Sequence, residues 1–269
     1  MTKKEQIDKD GYILIKNVFT SEEVDVMREN AVAEEGLQGD LLSSDKLSSV
    51  IMDERVLNIF KECLGSEKIY YFSDSNLSLN RPGKGGFHKD STNRDKKDTE
   101  EFTDINYSLL RMGIYMQDHA NSSRGLCLRE GSHLHQSCSV GKILNVKSEI
   151  GDVVIWKLTT THSANAQVIS MFPNTSFHPL VARFVPDFLK QKAASPRAVL
   201  FMCFGLKDDY AIEYREYLKT RKYALDRWVH SNYSEETVAK MNALDVEIYD
   251  GFNLEEIDKN KVNELYKQV

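Results

Sequence analysis

The sequence predicts a mainly β domain with flanking helices, arranged as an antiparallel sandwich or jelly roll. Between Ile69 and Phe204, short runs rich in β-branched and aromatic residues recur with turn residues between them. They do not alternate with helices, so a parallel sheet built from βαβ units is not expected. Helix signals lie before Ile69 and after Phe204, which places helices on the outside of a β core. A chain of 269 residues, 41% hydrophobic and 28% charged, suits one large domain with a substantial core.

Taken in order, residues 11–19 read as a strand. Thr20 and Glu23 then form a capping box that opens a helix, with Val24, Met27 and Ala31 on one face. DERVLNIFKECLG predicts a second helix: Leu57, Phe60 and Leu64 are spaced for burial and Gly65 is the stop. Strands are expected at 69–72, 76–80, 111–118, 125–129, 152–158 and 198–204. The tail returns to helix in DDYAIEYREYLKTRKYALDRW, SEETVAKMNAL and LEEIDKNKVNELYKQ. Tyr210, Tyr214 and Tyr217 repeat at helical spacing, a packing stripe rather than a substrate box. One domain over 1–269 is therefore expected, with a helical part at 20–65, a jelly-roll core at about 66–206 and C-terminal helices at 208–269. Two connections stand out: a charge-dense stretch at 94–104, and 162–197, which holds four of the five prolines.

The net charge of −6 argues against a nucleic-acid surface. The charged first ten residues and the short apolar run behind them do not read as a signal peptide or a membrane span, and none is expected. Cys63, Cys127, Cys138 and Cys203 show no CxxC spacing, so reduced thiols and a cytoplasmic location are expected.

Chemistry concentrates in GGFHKDS, residues 85–91. Residues i and i+2 of a strand share a face, so His88 and Asp90 can address one point while Lys89 turns away. Spacing of two is common, and a solvated strand end is the competing reading. His162, delivered by the strand in GDVVIWKLTTTH, would add a second imidazole. Two imidazoles and a carboxylate occupy one face of an octahedral ion and leave positions open for catalysis, whereas a structural zinc site closes itself with four ligands. His133 and His135 share the i, i+2 spacing without a carboxylate and read as loop-anchoring or exposed histidines; His119, His178 and His230 read as structural groups. An anionic cosubstrate would need a counter-charge. Arg197, opening the apolar strand RAVLFMCFG, is the first choice against a plain strand-end arginine in solvent, with Arg183 second and Arg111 third.

In this order, DGYILIKNVFTSEEV, GGFHKDS, GIYMQDHANSSRGLCLREGSH, GDVVIWKLTTTHSANA and RAVLFMCFG resemble the phytanoyl-CoA dioxygenase (PhyH-like) family of Fe(II)/2-oxoglutarate oxygenases over roughly residues 8–220. The resemblance implies a double-stranded β-helix (a cupin-like jelly roll) and a metal site of His88, Asp90 and His162. It implies Fe(II) and 2-oxoglutarate as cofactors, O2 as cosubstrate, and Arg197 on the distal carboxylate of 2-oxoglutarate. Ser163 or Ala164, Leu77, Asn80 and Lys89 fall near cosubstrate-contacting positions of the family. The long segment before Arg197 departs from the family pattern and keeps Arg183 as the alternative. The implied activity is hydroxylation of a small-molecule metabolite with release of succinate and CO2. Asp90 retains the carboxylate that halogenating relatives replace, which leaves hydroxylation, desaturation or ring closure. A metal-dependent hydrolase on the same three residues and a non-catalytic PhyH-like binding protein are the competing functions. Substrate contacts are expected from 81–104 and 163–196, with Tyr115 lining the interior.

Overall fold

In the computed structural model, residues 1–80, 86–90, 104–182, 184–192 and 195–249 are described. The chain opens with helix α1 (Lys3–Asp10), absent from the sequence expectations above. Thr2 and Glu5 cap each other's backbone in a capping box, and Gly11, at φ 81°, ends the helix. Strand β1 (Tyr12–Ile15) is shorter than expected, because the chain turns at Asn17 with φ 55°. Helix α2 (Ser21–Ala33) carries the expected capping box and buries Val24, Met27 and Ala31. The short α3 (Ser48–Ile51) leads to α4 (Glu54–Leu64), which is stopped by Gly65 at φ 68° and buries Leu57, Phe60 and Leu64.

The strands follow as β2 (Ile69–Tyr71), β3 (Asn76–Leu79), β4 (Leu110–Tyr115), β5 (Cys127–Glu130), β6 (Lys142–Asn145), β7 (Val153–Lys157) and β8 (His162–Ser163). A short α5 (Pro179–Ala182) interrupts the long connection before β9 (Ala198–Gly205). The expected single helix after β9 is two, α6 (Asp209–Lys219) and α7 (Lys222–Trp228), broken at Thr220 and Arg221. Helix α8 (Glu235–Ala243), capped by Ser234, and strand β10 (Val246–Ile248) follow. The helix expected in LEEIDKNKVNELYKQ and the charged stretch 94–103 lie outside the described residues.

The larger sheet runs β1-β7-β4-β9-β2-β10, with β3 also paired to β9; β6-β5-β8 form a smaller one. Every pairing is antiparallel except β10 with β2. This is a jelly roll flanked by helices. One face of the larger sheet (Ile13, Met112, Ile155, Leu200, Phe204) packs on Val24, Met27, Val56 and Phe60 of the N-terminal helices. The other face (Val154, Trp156, Tyr115, Val199) meets Leu126 and Leu128 from the smaller sheet. Both faces are covered, so β7 is buried at all five positions and reads as a continuous apolar run rather than an alternating one. Among the described residues, no helix is long and apolar enough to cross a membrane.

The turn into β7 shows why a glycine precedes it. Gly151 has φ 90°, and its carbonyl accepts from the backbone N–H groups of Val18 and Phe19. A Cβ there would stand 2.1 Å from the Phe19 carbonyl oxygen, so any side chain would push the two chains apart. The buried Asp152 holds the same corner through Lys16 and the N–H groups of Asn17 and Glu149. The corner sets where β7 begins, and so where the chain arrives at His162.

Candidate active site

His88 and His162 meet through their backbones. Each donates its N–H to the other's carbonyl, at 3.0 and 2.8 Å, as an antiparallel bridge. Asp90 N–H continues the pairing to the carbonyl of Leu158 at 3.0 Å. A directly opposed pair puts both side chains on one face, and the two imidazole rings lie 4.4 Å apart between centroids. Asp90, two residues on, shares that face. Its Oδ1 is 3.8 Å from His88 Nε2 and its Oδ2 is 3.5 Å from His162 Nε2. One donor atom from each of the three residues lies within 4.8 Å of the others. Two ligands at right angles on an octahedral ion with bonds of about 2.1 Å stand about 3 Å apart. The three residues therefore need only small side-chain adjustments to share one cation.

The histidine tautomer suits a metal as well. His162 Nδ1 is 3.0 Å from the carbonyl of Thr160, so it carries the proton and leaves Nε2 with its lone pair toward Asp90 and His88. Burial pushes the His162 imidazole down to about 4, and the neighbouring His88 pushes the same way against the pull of Asp90. It is thus neutral and ready to ligate at physiological pH.

Alternation along β4 places Arg111, Gly113 and Tyr115 on the face between the sheets, opposite Trp156 and Val154 of β7 and Cys203, Phe201 and Val199 of β9. Arg111 lies at the triad end, with its Nε 3.4 Å from Asp90 Oδ2. An aromatic wall leads away from the triad: Trp156 packs 5.4 Å from His162 and 6.2 Å from Phe201, which is 6.2 Å from Tyr115. At the far end stands Arg197, 7% exposed, its guanidinium carbon 5.9 Å from the centres of both Tyr115 and Phe201. Its Nη1 donates to Ser78 Oγ at 2.9 Å and its Nε to the carbonyl of Arg124 at 3.3 Å.

Besides Arg111 Nε at the triad end, three polar atoms on this inner wall are buried without a hydrogen bond of good geometry: Arg197 Nη2, the Tyr115 hydroxyl and Trp156 Nε1. A buried donor with no acceptor costs roughly 1–3 kcal/mol, and three on one surface would be satisfied by a polar ligand. Burial pushes the Tyr115 phenol up to about 12 although Arg197 pulls it down, so its hydroxyl keeps its proton. Gly113 lies between these groups. A Cβ there would come within 3.0 Å of Tyr115, 3.2 Å of Phe201 and 3.3 Å of Trp156. The donor set and the cradle fit a metal held by three residues and a small anion reaching toward Arg197.

Of the residues expected from sequence, His88, Asp90 and His162 come together and Arg197 faces the same interior. Four others do not. The Lys89 ammonium donates to the backbone carbonyls of Ser132, at 2.8 Å, and Thr159, on the opposite side of the strand from His88. Ser163 pairs with Cys127, whose side chain packs with Phe87 and Ala166 behind the smaller sheet, while His162 pairs with Leu128 on the inner face. Leu77 pairs with Leu200 and packs into the helix-side core. Asn80 is exposed at φ 50° and engages the Arg197 carbonyl through its backbone N–H. In each case the alternation of a strand turns the side chain from the interior, or the strand has ended. Arg183 lies outside the described residues. Ser78 and Trp156 were missed; the alternations Asn76-x-Ser78 and Val154-x-Trp156 are the signal that could have found them.

Of the remaining five histidines four are structural, and His135 is exposed. Buried His133 donates from Nε2 to the Asp8 carbonyl at 2.8 Å, and buried His119 pairs with the Gln117 amide at 2.7 Å. His178 stacks edge-on to Phe87, and His230 donates to the Asp226 carbonyl.

No protein-family profile matches the sequence, and no curated protein matches it. Solved structures do. EctD from S. alaskensis, solved with 2-oxoglutarate and 5-hydroxyectoine, aligns with a TM-score of 0.52 at 16% identity, over 76% of this chain and 75% of its own. The non-heme α-ketoglutarate-dependent carbocyclase SnoK from nogalamycin biosynthesis aligns at 0.51 and 15% identity, over 77% and 87%. The non-heme monooxygenase ThoJ, solved with nickel, aligns at 0.50 and 16%, over 76% and 77%. The likeness is one of fold. It agrees with the double-stranded β-helix expected from the motifs, while the PhyH-like family stays a resemblance.

Proposed function

We propose that this chain is an Fe(II)- and 2-oxoglutarate-dependent oxygenase acting on a small molecule. The observation that carries the reading is the pairing of two features on one inner wall: the His88/Asp90/His162 cluster and, beyond Trp156 and Phe201, the buried Arg197 with an unpartnered Nη2. The metal would be held by His88, Asp90 and His162. Arg197, assisted by Ser78 and the Tyr115 hydroxyl, would bind the distal carboxylate of 2-oxoglutarate. When bound, iron and the keto acid supply oxygen activation, with 2-oxoglutarate converted to succinate and CO2.

The chain's own residues orient and enclose. The Thr160 carbonyl fixes the His162 tautomer. The Arg197 guanidinium, in a low-dielectric interior, binds a carboxylate more strongly than an exposed arginine would. Trp156, Phe201 and Val199 exclude water from the space between metal and arginine. Gly113 leaves room where a side chain would press on Tyr115 and Phe201.

Fold neighbours support the cofactor pair: EctD was solved with 2-oxoglutarate, and SnoK is described as α-ketoglutarate-dependent. They also span different outcomes, a monooxygenase and a carbocyclase among them. Asp90 supplies the carboxylate ligand that halogenating relatives lack, which favours hydroxylation, desaturation or ring closure over halogenation, and hydroxylation is the outcome proposed here. EctD holds 5-hydroxyectoine and SnoK belongs to nogalamycin biosynthesis, which supports a small-molecule substrate. Its contacts would come from 81–104 and 163–196 around the mouth. A hydrolase on the same three ligands gives no role to the buried Arg197, and no observation favours it.

Anaerobic addition of Fe(II) and 2-oxoglutarate to the metal-free protein tests the proposal. A weak visible charge-transfer band is expected, lost in His88→Ala and shifted to higher 2-oxoglutarate concentration in Arg197→Gln. Absence of the band in the native protein would overturn it.

A further inference from the structure

A second guanidinium touches the triad. Arg111 lies on the inner face of β4 with Nε 3.4 Å from Asp90 Oδ2, the oxygen that also faces His162. That contact is an ion pair, since Arg111 Nε makes no hydrogen bond of good geometry. The other end of the guanidinium is fixed: Nη2 donates to Asp74 Oδ2 at 2.6 Å and to the Tyr214 hydroxyl at 3.1 Å. Asp74 is buried. Its Oδ2 also accepts from the Tyr214 hydroxyl at 2.6 Å, and its Oδ1 from Arg227 Nη1 at 2.7 Å. The chain of contacts therefore runs Asp90–Arg111–Asp74–Arg227, alternating in sign, with Tyr214 bracing the middle.

Its members come from four places in the sequence. Asp74 precedes β3, Arg111 is on β4, Tyr214 on α6 and Arg227 on α7. The C-terminal helices thus reach the triad carboxylate through Arg111. Asp74 is buried, and Asp90, Arg111 and Arg227 are half-buried; charges so placed are costly unless each is paired, and here each faces an opposite charge. A stability role alone would be met by Arg111 and Asp74 as a pair. It does not require the free edge of the guanidinium to face one oxygen of the triad aspartate.

From this geometry we infer that Arg111, anchored by Asp74, Tyr214 and Arg227, is the positioning residue of the metal site. It holds Asp90 Oδ2 so that the carboxylate ligates through one oxygen and a coordination position stays open. The inference rests on the metal reading given above. Groups behind a ligand set its orientation, and their loss costs about 10- to 100-fold in metal affinity.

The test is titration of the full-length, metal-free protein with Co(II), followed by its d–d absorption. His88→Ala, Arg111→Gln, Arg111→Lys and Arg227→Gln are compared with the native protein, and folding of each is checked by circular dichroism. The native protein should bind Co(II), and His88→Ala should not. Arg111→Gln should bind about 10- to 100-fold more weakly and show an altered d–d spectrum, as Asp90 becomes free to ligate through both oxygens. Arg227→Gln should change the spectrum in the same direction by a smaller amount. If Arg111→Gln does not fold, Arg111→Lys carries the test, because it keeps the charge and the reach to Asp74 but cannot fork to Asp90. Folded Arg111 variants with native affinity and spectrum, while His88→Ala loses binding, would overturn the positioning role and leave the metal reading standing. Undiminished binding in His88→Ala would overturn the metal reading and this inference with it.

Discussion

His88 and His162, seventy-four positions apart in sequence, exchange backbone hydrogen bonds of 3.0 and 2.8 Å, which brings their imidazoles to 4.4 Å between centroids. Each histidine is held by this backbone pairing. The bridge is a piece of sheet, and the Asp90 N–H bond to Leu158 extends it. Removing one imidazole should therefore leave the backbone geometry of the other two residues intact, so each ligand can be tested separately.

His162→Gln is expected to stay folded, since the bridge uses only backbone atoms, and to lose iron-dependent succinate release. Asp90→Ala should lose it as well. Succinate release at saturating 2-oxoglutarate, alongside thermal melting to confirm the fold, checks both. Native-level turnover in Asp90→Ala would remove that residue from the site.

Arg197→Gln separates cosubstrate binding from metal binding. A charge-assisted pair in a buried site contributes about 1.5–3 kcal/mol, so the KM for 2-oxoglutarate should rise by roughly 10- to 100-fold. Co(II) affinity should not change, because Arg197 lies beyond Trp156 and Phe201 from the triad. A matched loss of both would point to general collapse of the interior.

Gly113→Ala adds a methyl group 3.0 Å from Tyr115 and 3.2 Å from Phe201, inside a wall with little slack. Overpacking of this kind costs about 1–3 kcal/mol. A lower melting temperature is expected, together with a raised KM for 2-oxoglutarate, since Tyr115 cannot yield without moving beside Arg197. Steady-state kinetics with melting curves gives both quantities.

Stability should fall on acidification between about pH 6.5 and 4. Burial pushes His133 and His119 down to about 4 in the folded protein, against about 6.5 when unfolded. Between those values the unfolded chain binds more protons, so folding weakens as pH drops and the loss is complete below about 4. For His133 the cause is visible: Nε2 already donates to Asp8, and Nδ1 is buried with no acceptor for a second proton. His133 alone accounts for up to about 3 kcal/mol of that loss. Denaturant midpoints measured from pH 7 to pH 4 should show a shallower slope in His133→Asn than in the native protein.

Local signals in the sequence were reliable where the physics is local. The capping box of Thr20 and Glu23, with Val24, Met27 and Ala31 a helical turn apart, describes α2 as it stands. The same box at Thr2 and Glu5, ended by Gly11, is equally present, in a segment where charge masks the apolar pattern. The short β6, β8 and β10 carry little pattern of their own, since two to four residues do not establish a period. Lys89 was readable as facing away from His88 by alternation alone, and the structure puts its ammonium on the Ser132 and Thr159 carbonyls.

By itself, the sequence determined the helix boundaries marked by caps and glycines, the strand-rich middle, and the i, i+2 edge of His88 and Asp90. These follow from interactions within a few residues, which spacing encodes directly. Tertiary structure alone decided which arginine stands where: Arg197 at the far end of the inner wall against Ser78 and Tyr115, and Arg111 against Asp90 and Asp74. Which arginine lies beside which carboxylate depends on the register between strands far apart in the chain. A shift of one residue would exchange the two faces of a strand and turn either arginine out of the interior.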